Sequence, residues 1–226
     1  MAWRGAGDLR YRTRWFCYLD LLGFSTLVDS GAVEKIIPTY EGVVRELEAE
    51  VGVKAGTGVS SSWFSDTFII FSRHATDREF AAVESVARLF FQRLIMKDIP
   101  VRGALTLGKL YSRTKKNIFV GPALIDAYTY GEKQNWLGFL LTPSVFRHFQ
   151  GTHLDLDNRP HYRPLGDARI LRELPSEHVY AYAFNNGRVA GKNPFLDHLA
   201  AMRSTAGPAH HQKYDNTLAF ARLHAP

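Results

Sequence analysis

The sequence predicts an α+β fold: a ferredoxin-like βαβ core with a mainly antiparallel sheet covered by helices. Two apolar, β-prone runs each contain one carboxylate in their middle, Asp20 within 15–25 and Asp66 within 60–72. Segments with apolar residues at three-and-four spacing, typical of amphipathic helices, separate the β-prone runs. Short turns rather than helical crossovers join several of the runs. This favours antiparallel hairpins over a doubly wound parallel sheet.

Composition limits the classes of partner. A chain of 226 residues, 46% of them hydrophobic and 22% charged, is long enough for one large core. The formal net charge of +6 is compatible with an anionic partner such as a nucleoside triphosphate. The basic residues are scattered, however, and no stripe of basic and aromatic residues predicts a nucleic-acid groove. Cys17 is the single cysteine, which excludes an internal disulfide.

The sequence also limits the expected location of the protein. The N-terminal residues contain no apolar stretch followed by a cleavage site made of small residues, so no signal peptide is expected. No apolar run approaches the roughly 18 residues that span a bilayer. We therefore expect a cytoplasmic protein without direct membrane insertion.

The first half of the chain alternates strands and helices. Residues 1–13 are rich in Arg and Gly and are predicted to form a flexible N-terminal segment. The predicted elements that follow are a strand at 15–21, a short helix within 23–30, a helix at 32–51, strands at 59–64 and 67–72, a helix at 77–96 and a strand at 101–108. Pro38 is expected near the first turn of its helix. Asp66 is expected at a hairpin tip, because Ser65 and Asp66 separate two strands.

The second half begins as regularly and then changes. Its predicted elements are a strand at 117–120, a helix at 122–133, a strand at 136–142, a short helix at 143–150, a late strand at 179–184 and amphipathic pieces at 196–202 and 218–223. Residues 151–176 show no clear periodicity. The simplest closure places the helices on one face of the sheet and the first strand and the hairpin at its centre. Asp20 and Asp66 would then be neighbours.

Asp20 and Asp66 are candidate metal ligands. A carboxylate in an apolar strand is costly unless something compensates its charge. Two of them side by side can hold divalent cations, and oxygen ligands suit Mg²⁺ or Mn²⁺. The turn formed by Gly23, Phe24 and Ser25 can offer backbone N–H groups to a phosphate. The alternative is structural: Asp20 ends a strand, and Asp66 is an ordinary turn residue.

Four motifs occur in the order of a known family. They are Leu19 to Ser25 (LDLLGFS), Phe64 to Phe68 (FSDTF), Val101 to Gly108 (VRGALTLG) and Val120 to Tyr128 (VGPALIDAY). In order and rough spacing they resemble class III nucleotidyl cyclases. The resemblance implies a catalytic core at 14–150, a C-terminal extension at 151–226 packed on it, and a homodimer with nucleotide sites at its interface.

The resemblance also implies the chemistry of the site. One subunit supplies Asp20, Asp66 and the Leu21 carbonyl as ligands to two divalent cations. One cation lowers the pKa of the ribose 3′-hydroxyl that attacks the α-phosphorus, and the other neutralises the triphosphate and the departing diphosphate. The turn at 23–25 holds the β- and γ-phosphates through the amides of Phe24 and Ser25 and the Ser25 hydroxyl.

Three positions depart from the family pattern. Ser62 stands where the family has a base-reading Lys or Glu, four residues before the second Asp. Ile125 and Thr129 stand where it has Asn and Arg, four and eight residues after Gly121. Another cation must then stabilise the phosphoryl oxygens, and Arg102 is our candidate catalytic residue, with a structural ion pair as its alternative role. The other candidates are Arg113, Lys115 and Lys116.

The loss of purine-reading residues resembles the pyrimidine cyclases of the bacterial Pycsar antiphage system. Ser62, with Trp63 or Tyr40, is expected to form a base pocket of pyrimidine size. The resemblance implies conversion of UTP to 3′,5′-cyclic UMP, a signal that acts through a downstream cyclic-nucleotide-sensing effector. The alternatives are a cytidylate cyclase acting on CTP, a purine class III cyclase, and a catalytically silent nucleotide-binding dimerisation module. The presence of both Asp20 and Asp66 argues against the silent module.

Overall fold

An eight-stranded sheet with helices on both faces forms the frame of the molecule. The structure, a computed structural model, describes residues 11–24, 29, 33–53, 58–185 and 193–224. Its elements are β1 (Arg12–Leu21), α1 (Val33–Val53), β2 (Val59–Phe64), β3 (Thr67–Ser72), α2 (Asp77–Ile95), β4 (Val101–Arg113), β5 (Ile118–Val120), α3 (Pro122–Lys133), β6 (Phe139–Leu141), α4 (Pro143–Phe149), β7 (Tyr162–Pro164), α5 (Ala168–Leu171), β8 (Tyr180–Tyr182), α6 (Pro194–Thr205) and α7 (His211–His224).

The sheet confirms the predicted fold class. Its strand order is β2-β3-β1-β4-β6-β8-β7, with β5 paired to β4. The pairs are antiparallel apart from β4 with β6, which is parallel. The first four strands and their two helices form the ferredoxin-like βαββαβ arrangement. The hairpin is not central as expected, because β3 uses its second edge to pair with β1 and leaves β2 at the edge of the sheet.

Side chains of β1 alternate between two hydrophobic clusters. Trp15 and Leu19 belong to the larger cluster, which α1 and α2 cover, whereas Phe16 and Tyr18 belong to a smaller cluster under α3. The expectation that the helices lie on one face is therefore wrong, because α3 packs on the opposite face. Asp20 follows the alternation of Phe16 and Tyr18 and lies on the α3 face.

Local signals explain where the helices begin and end. Thr76 caps α2 by accepting a hydrogen bond from Glu79 N at 3.3 Å, and its hydroxyl donates to Glu79 Oε2 at 3.0 Å. Pro122 opens α3, where the missing N–H costs no helical hydrogen bond. Pro38 lies inside α1, past its first turn, contrary to prediction. Of the short helix expected within 23–30, the structure describes helical Phe24 and Asp29 alone.

Long-range pairing extends two strands beyond their predicted ends. The ladder between β1 and β4 continues to the pair Arg12 with Leu110, so β1 begins before residue 15 and β4 continues past Gly108 to Arg113. By contrast, β6 shortens to three residues within the predicted run 136–142. Propensity alone does not set these ends, because ladder partners distant in sequence decide where a strand stops.

The last quarter of the chain extends the same sheet and core. Strand β8 pairs with β6 and β7, and buried Tyr182 and Phe195 belong to the larger hydrophobic cluster. Helix α7 docks beside the sheet, where Thr217 Oγ1 accepts a hydrogen bond from Leu137 N at 2.8 Å. None of the helices within the described ranges is long and apolar enough to cross a membrane.

Candidate active site

The hairpin tip lies against the end of β1. Leu21 N donates a hydrogen bond to Asp66 O at 2.9 Å, and Asp20 pairs with Thr67 in the antiparallel register. Ser65 adopts φ of 56°, the left-handed conformation that closes this short turn. The predicted proximity of Asp20 and Asp66 is therefore present, and a main-chain hydrogen bond maintains it.

Asp20 is a buried carboxylate, with a relative exposure of 6%. Its pKa is raised to about 6 by burial and then by the charges of Glu132 and Asp66, while Arg102 opposes the rise. Oδ2 accepts a hydrogen bond from Arg102 Nε at 3.0 Å. Within the described residues no hydrogen bond reaches Oδ1. Asp20 is thus held through one oxygen, while the other remains available to a cation.

Arg102 lies opposite Asp20 in the β1–β4 ladder and is itself 8% exposed. Its Nη2 donates to Glu132 Oε2 at 2.6 Å, and its Nη1 donates to the backbone oxygens of Glu132 and Gln134. Tyr18 donates its hydroxyl to Glu132 Oε1 at 2.9 Å. The Arg102 guanidinium therefore joins β1, β4 and the end of α3. These contacts are those of a structural ion-pair partner, the alternative role of Arg102, and its catalytic role stays a prediction.

Sequence reasoning missed two members of this network. Glu132 lies in the last turn of α3, and Lys213 lies on α7, far along the chain from Asp20. Burial lowers the pKa of Lys213, the charges of Arg102 and Arg172 lower it further, and Asp20 and Glu132 oppose this. A single carboxylate at a helix end and a single lysine carry no sequence signal for such a role, because tertiary packing creates their proximity.

The predicted phosphate-binding turn is described in part. Gly23 adopts φ of 77° and is exposed, a conformation that favours glycine. The Phe24 ring packs near Tyr40, with ring centroids 6.4 Å apart. Ser25 lies outside the described residues. The turn thus begins directly after the Asp20 strand, as its proposed role requires.

The predicted base-pocket residues lie on two faces of the sheet. Tyr40 is a buried residue of α1 and makes an edge contact with Trp63 at 6.0 Å between ring centroids. Burial raises the pKa of Tyr40 to about 12, with a further contribution from the Asp66 charge. Ser62 precedes Trp63 in β2 and faces the other side, because successive strand side chains alternate. The structure therefore joins Tyr40 with Trp63 and separates both from Ser62.

Ser62 lines a groove of about 360 Å³ on the α3 face, called the hairpin groove here. Its lining residues are Ser62, Phe64, Thr67, Ile69, Asn117, Phe119 and Leu124. Phe64 at its rim is 80% exposed, and Ile125 and Tyr128 on neighbouring α3 are 66% and 52% exposed. Exposed apolar side chains of this size on one face are typical of surfaces that contact another molecule.

The alternative cations lie far from Asp20 along β4. Arg113 is eleven residues beyond Arg102, a separation of roughly 36 Å in an extended strand. The Arg113 guanidinium lies 5.9 Å from the centre of the Tyr111 ring, and Lys116 is exposed. The Lys115 side chain lies outside what the structure describes. Arg113 and Lys116 can therefore reach a phosphate at Asp20 only from a second copy of the chain.

The donor set at Asp20 and Asp66 fits a hard divalent cation. The part of the chain that the structure describes contains no group of three or more His, Cys, Asp or Glu side chains arranged for a metal. Mg²⁺ commonly binds one or two carboxylates and completes its coordination with water and substrate phosphates. Two neighbouring carboxylates, one of them with an oxygen that accepts no hydrogen bond from the described residues, match that preference.

Comparison with known proteins identifies the fold. No family model matches the sequence, and no curated protein matches it. The catalytic core of a rhodopsin-guanylyl cyclase with converted specificity, solved in complex with ATPαS, is similar in structure. The TM-score is 0.57 and the identity 12%, over 76% of this chain and 95% of that one.

A class III adenylyl cyclase-like ATP-binding protein from Pseudomonas aeruginosa is also similar, with a TM-score of 0.38 and 15% identity over 65% of this chain and 39% of that one. The chain therefore has the fold of a cyclase catalytic core, a conclusion that rests on the first of these two structures.

Proposed function

We propose that this chain is a nucleotidyl cyclase that converts UTP to 3′,5′-cyclic UMP and diphosphate. The observation that carries the proposal is the hydrogen bond of 2.9 Å from Leu21 N to Asp66 O, which brings two carboxylate residues together in a cyclase-like fold. In the reaction the ribose 3′-oxygen forms a bond to the α-phosphorus and loses its proton. The bond from the α-phosphorus to the bridging oxygen breaks, and diphosphate leaves.

Asp20, Asp66 and the Leu21 carbonyl would hold two divalent cations, Mg²⁺ or Mn²⁺. When bound, such cations supply positive charge to the triphosphate and lower the pKa of the 3′-hydroxyl. Arg102 fixes the orientation of Asp20 through the bond from its Nε at 3.0 Å. Gly23 and Phe24 begin the turn that we assign, with Ser25, to the β- and γ-phosphates.

A homodimer completes the proposed site. Exposed Phe64, Ile125 and Tyr128 lie on the face that also carries Asp20, and burying them against a second copy is favourable. Arg113 and Lys116 would then act on the partner's nucleotide. Ser62 in the hairpin groove is our candidate for the residue that admits a pyrimidine, while Tyr40 and Trp63 support the hairpin from the other face.

We assign the cyclic nucleotide to cytoplasmic antiphage signalling of the Pycsar type, with a separate effector that binds the product. This assignment rests on the loss of the purine-reading residues at Ser62, Ile125 and Thr129. A signal of this kind requires that the cyclase discriminate against abundant ATP and GTP. Substrate discrimination by the purified protein is therefore the property to measure.

The test is incubation of the purified protein with UTP, CTP, ATP or GTP and Mn²⁺, followed by mass-spectrometric identification of the product. We expect cyclic UMP from wild type and none from Asp66→Ala. If cyclic CMP or a cyclic purine nucleotide is the main product, the substrate is CTP or a purine nucleotide and not UTP. No cyclic product from any of the four would leave only the silent module. A Ser62→Lys variant with an unchanged substrate ratio would remove Ser62 from the base pocket.

A further inference from the structure

A second groove lies between α3, α4 and the outer half of β4, and is called the α3–α4 groove here. Two cavities of about 560 Å³ and about 270 Å³ form it. They are continuous, because both are lined by Asp126, Tyr130, Ser144, Arg147 and Pro175. The larger one has the size of a typical small-molecule site. Apolar side chains, including Leu107 and Ala123, line it together with the polar ones.

A buried cluster of hydroxyl groups holds the polar atoms of this groove in place. Thr106 and Thr142 are fully buried, and the Thr142 hydroxyl donates to Thr106 Oγ1 at 3.0 Å. The Thr106 hydroxyl in turn donates to Asp126 Oδ2. Ser144 Oγ accepts from Leu107 N at 2.9 Å and lies 2.8 Å from Thr106 Oγ1. Asp126 and Ser144 therefore keep one orientation without a ligand.

Arg147 and two carboxylates, Asp126 and Glu177, line the groove, and no ion pair joins Arg147 to either of them in the described part of the chain. Arg147 is exposed and has no carboxylate within ion-pair distance and no hydrogen-bond acceptor among the described residues. Asp126 Oδ1 likewise accepts no hydrogen bond there. Between them, Tyr130 donates its hydroxyl to Pro175 O at 3.1 Å. The pKa of Tyr130 rises to about 12 through burial and then the Asp126 charge, while Arg147 opposes the rise, so both charges act on one ring.

This arrangement defines the chemistry of a ligand. Asp126 Oδ1 can accept a hydrogen bond from an N–H donor, Arg147 can bind an anion, and the apolar lining suits a flat ring between them. A pyrimidine nucleotide carries an N–H or NH₂ donor on its base and a phosphate at the other end. We propose that the α3–α4 groove binds a nucleoside phosphate, with the base against Asp126 and the phosphate against Arg147.

The proposed ligand class rests on the proposed function, since it assumes that the chain acts on nucleotides. The nucleotide has two possible sources. One source is the substrate bound at Asp20 and Asp66 of a second copy. Arg147 would then replace the arginine that the family has at the position of Thr129. The other source is a separate nucleotide that occupies the groove alone. The same contacts serve both, so the source must be decided by experiment.

Calorimetric titration of the full chain with UMP, in EDTA so that no cation contributes, tests the groove directly. We expect Arg147→Gln and Asp126→Asn each to weaken binding at least tenfold, which corresponds to a loss of about 1.4 kcal/mol. Arg78→Gln, at an exposed arginine on α2, is the matched control and should bind like wild type. Asp126→Asn still accepts the Thr106 hydroxyl, so its fold should persist.

The groove proposal would be overturned if wild type and both groove variants bound UMP equally, or if wild type bound neither UMP nor CMP. Neither result would decide whether the protein is a cyclase, because the product assay measures that separately. Conversely, binding that depends on Arg147 in a protein making no cyclic product would support the groove and reject the cyclase. Mixing Asp66→Ala with Arg147→Gln subunits identifies the source. If the substrate is shared between copies, Arg147→Gln alone is inactive and the mixture restores about a quarter of wild-type activity, because half of the dimers contain one intact site. If the nucleotide is separate, Arg147→Gln alone retains cyclase activity.

Discussion

Removing Arg102 from its buried ion pair with Asp20 should be strongly destabilising. Replacing Arg102 by Gln leaves Asp20, at 6% exposure, without its counter-charge. Removing one partner of a buried pair typically costs about 3–5 kcal/mol. The Glu132 carboxylate is 29% exposed, and losing its contact adds only about 0–1 kcal/mol. We expect Arg102→Gln to lower the free energy of unfolding by about 3 kcal/mol near neutral pH.

The assay is urea unfolding in EDTA, followed by the fluorescence of fully buried Trp15 and Trp136. Because the pKa of Asp20 is about 6 even beside Arg102, and losing Arg102 raises it further, a pH of about 5 protonates Asp20 in the variant. The penalty should therefore shrink at the lower pH. Arg203→Gln is the matched control, since its ion pair with Asp215 is exposed and should cost less than about 1 kcal/mol.

Two results would refute this reasoning. One is an Arg102→Gln protein that unfolds within about 1 kcal/mol of wild type, which is the range of an exposed pair. The other is an equal penalty at both pH values, which would mean that the Asp20 charge is not the source. A double-mutant cycle with Asp20→Asn then measures the coupling directly, and we expect the second substitution to be less costly once the first is present.

Three further predictions concern the neighbouring residues. Gly103→Ala should lower the melting temperature, because a Cβ there would lie 2.5 Å from Tyr18 O. Overpacking of this kind costs about 1–3 kcal/mol of stability. A melting temperature equal to that of wild type would contradict this prediction. Asp66→Asn should unfold like wild type in EDTA but lose the rise in melting temperature that Mn²⁺ gives wild type, as thermal scans with and without Mn²⁺ would reveal. For Asp20 the folded pKa of about 6 lies above the ordinary aspartate value of 3.8, so between these values the folded state binds more protons than the unfolded state. Metal-free wild type should therefore lose stability relative to Asp20→Asn as pH rises through 4 to 6, and parallel urea midpoints across this range would contradict that.

Local sequence patterns predicted much of the fold. The hairpin strands at 59–64 and 67–72 and the helix at 122–133 have the predicted bounds, because alternation, turn residues and an N-terminal proline act within a few residues. Pro38 was expected near the first turn of its helix, whereas it is the sixth residue of α1. The bounds of β1 and β4 were too short for a different reason: their ends depend on each other across the ladder.

The candidate site likewise contains residues that the sequence predicted and residues that it did not. Asp20 and Asp66 stand out in sequence because a carboxylate within an apolar strand is unusual, and the structure places them together. Ser62 was assigned to a base pocket because it occupies the family's base-reading position, and Trp63 and Tyr40 because their rings could narrow that pocket. Strand alternation nevertheless puts Ser62 on the other face. Glu132 and Arg147 have no local signal, since each acquires a role only from the elements packed beside it.

The sequence by itself determined the α+β class, the hairpin and the two carboxylates, since these follow from periodicity and from charges in apolar runs. Only the tertiary structure decided that β2 is an edge strand, that α3 covers the Asp20 face and that Arg102 joins Asp20 to Glu132. The physical reason is that contacts between residues 30 to 82 positions apart depend on how the elements pack. No short segment of sequence contains that information.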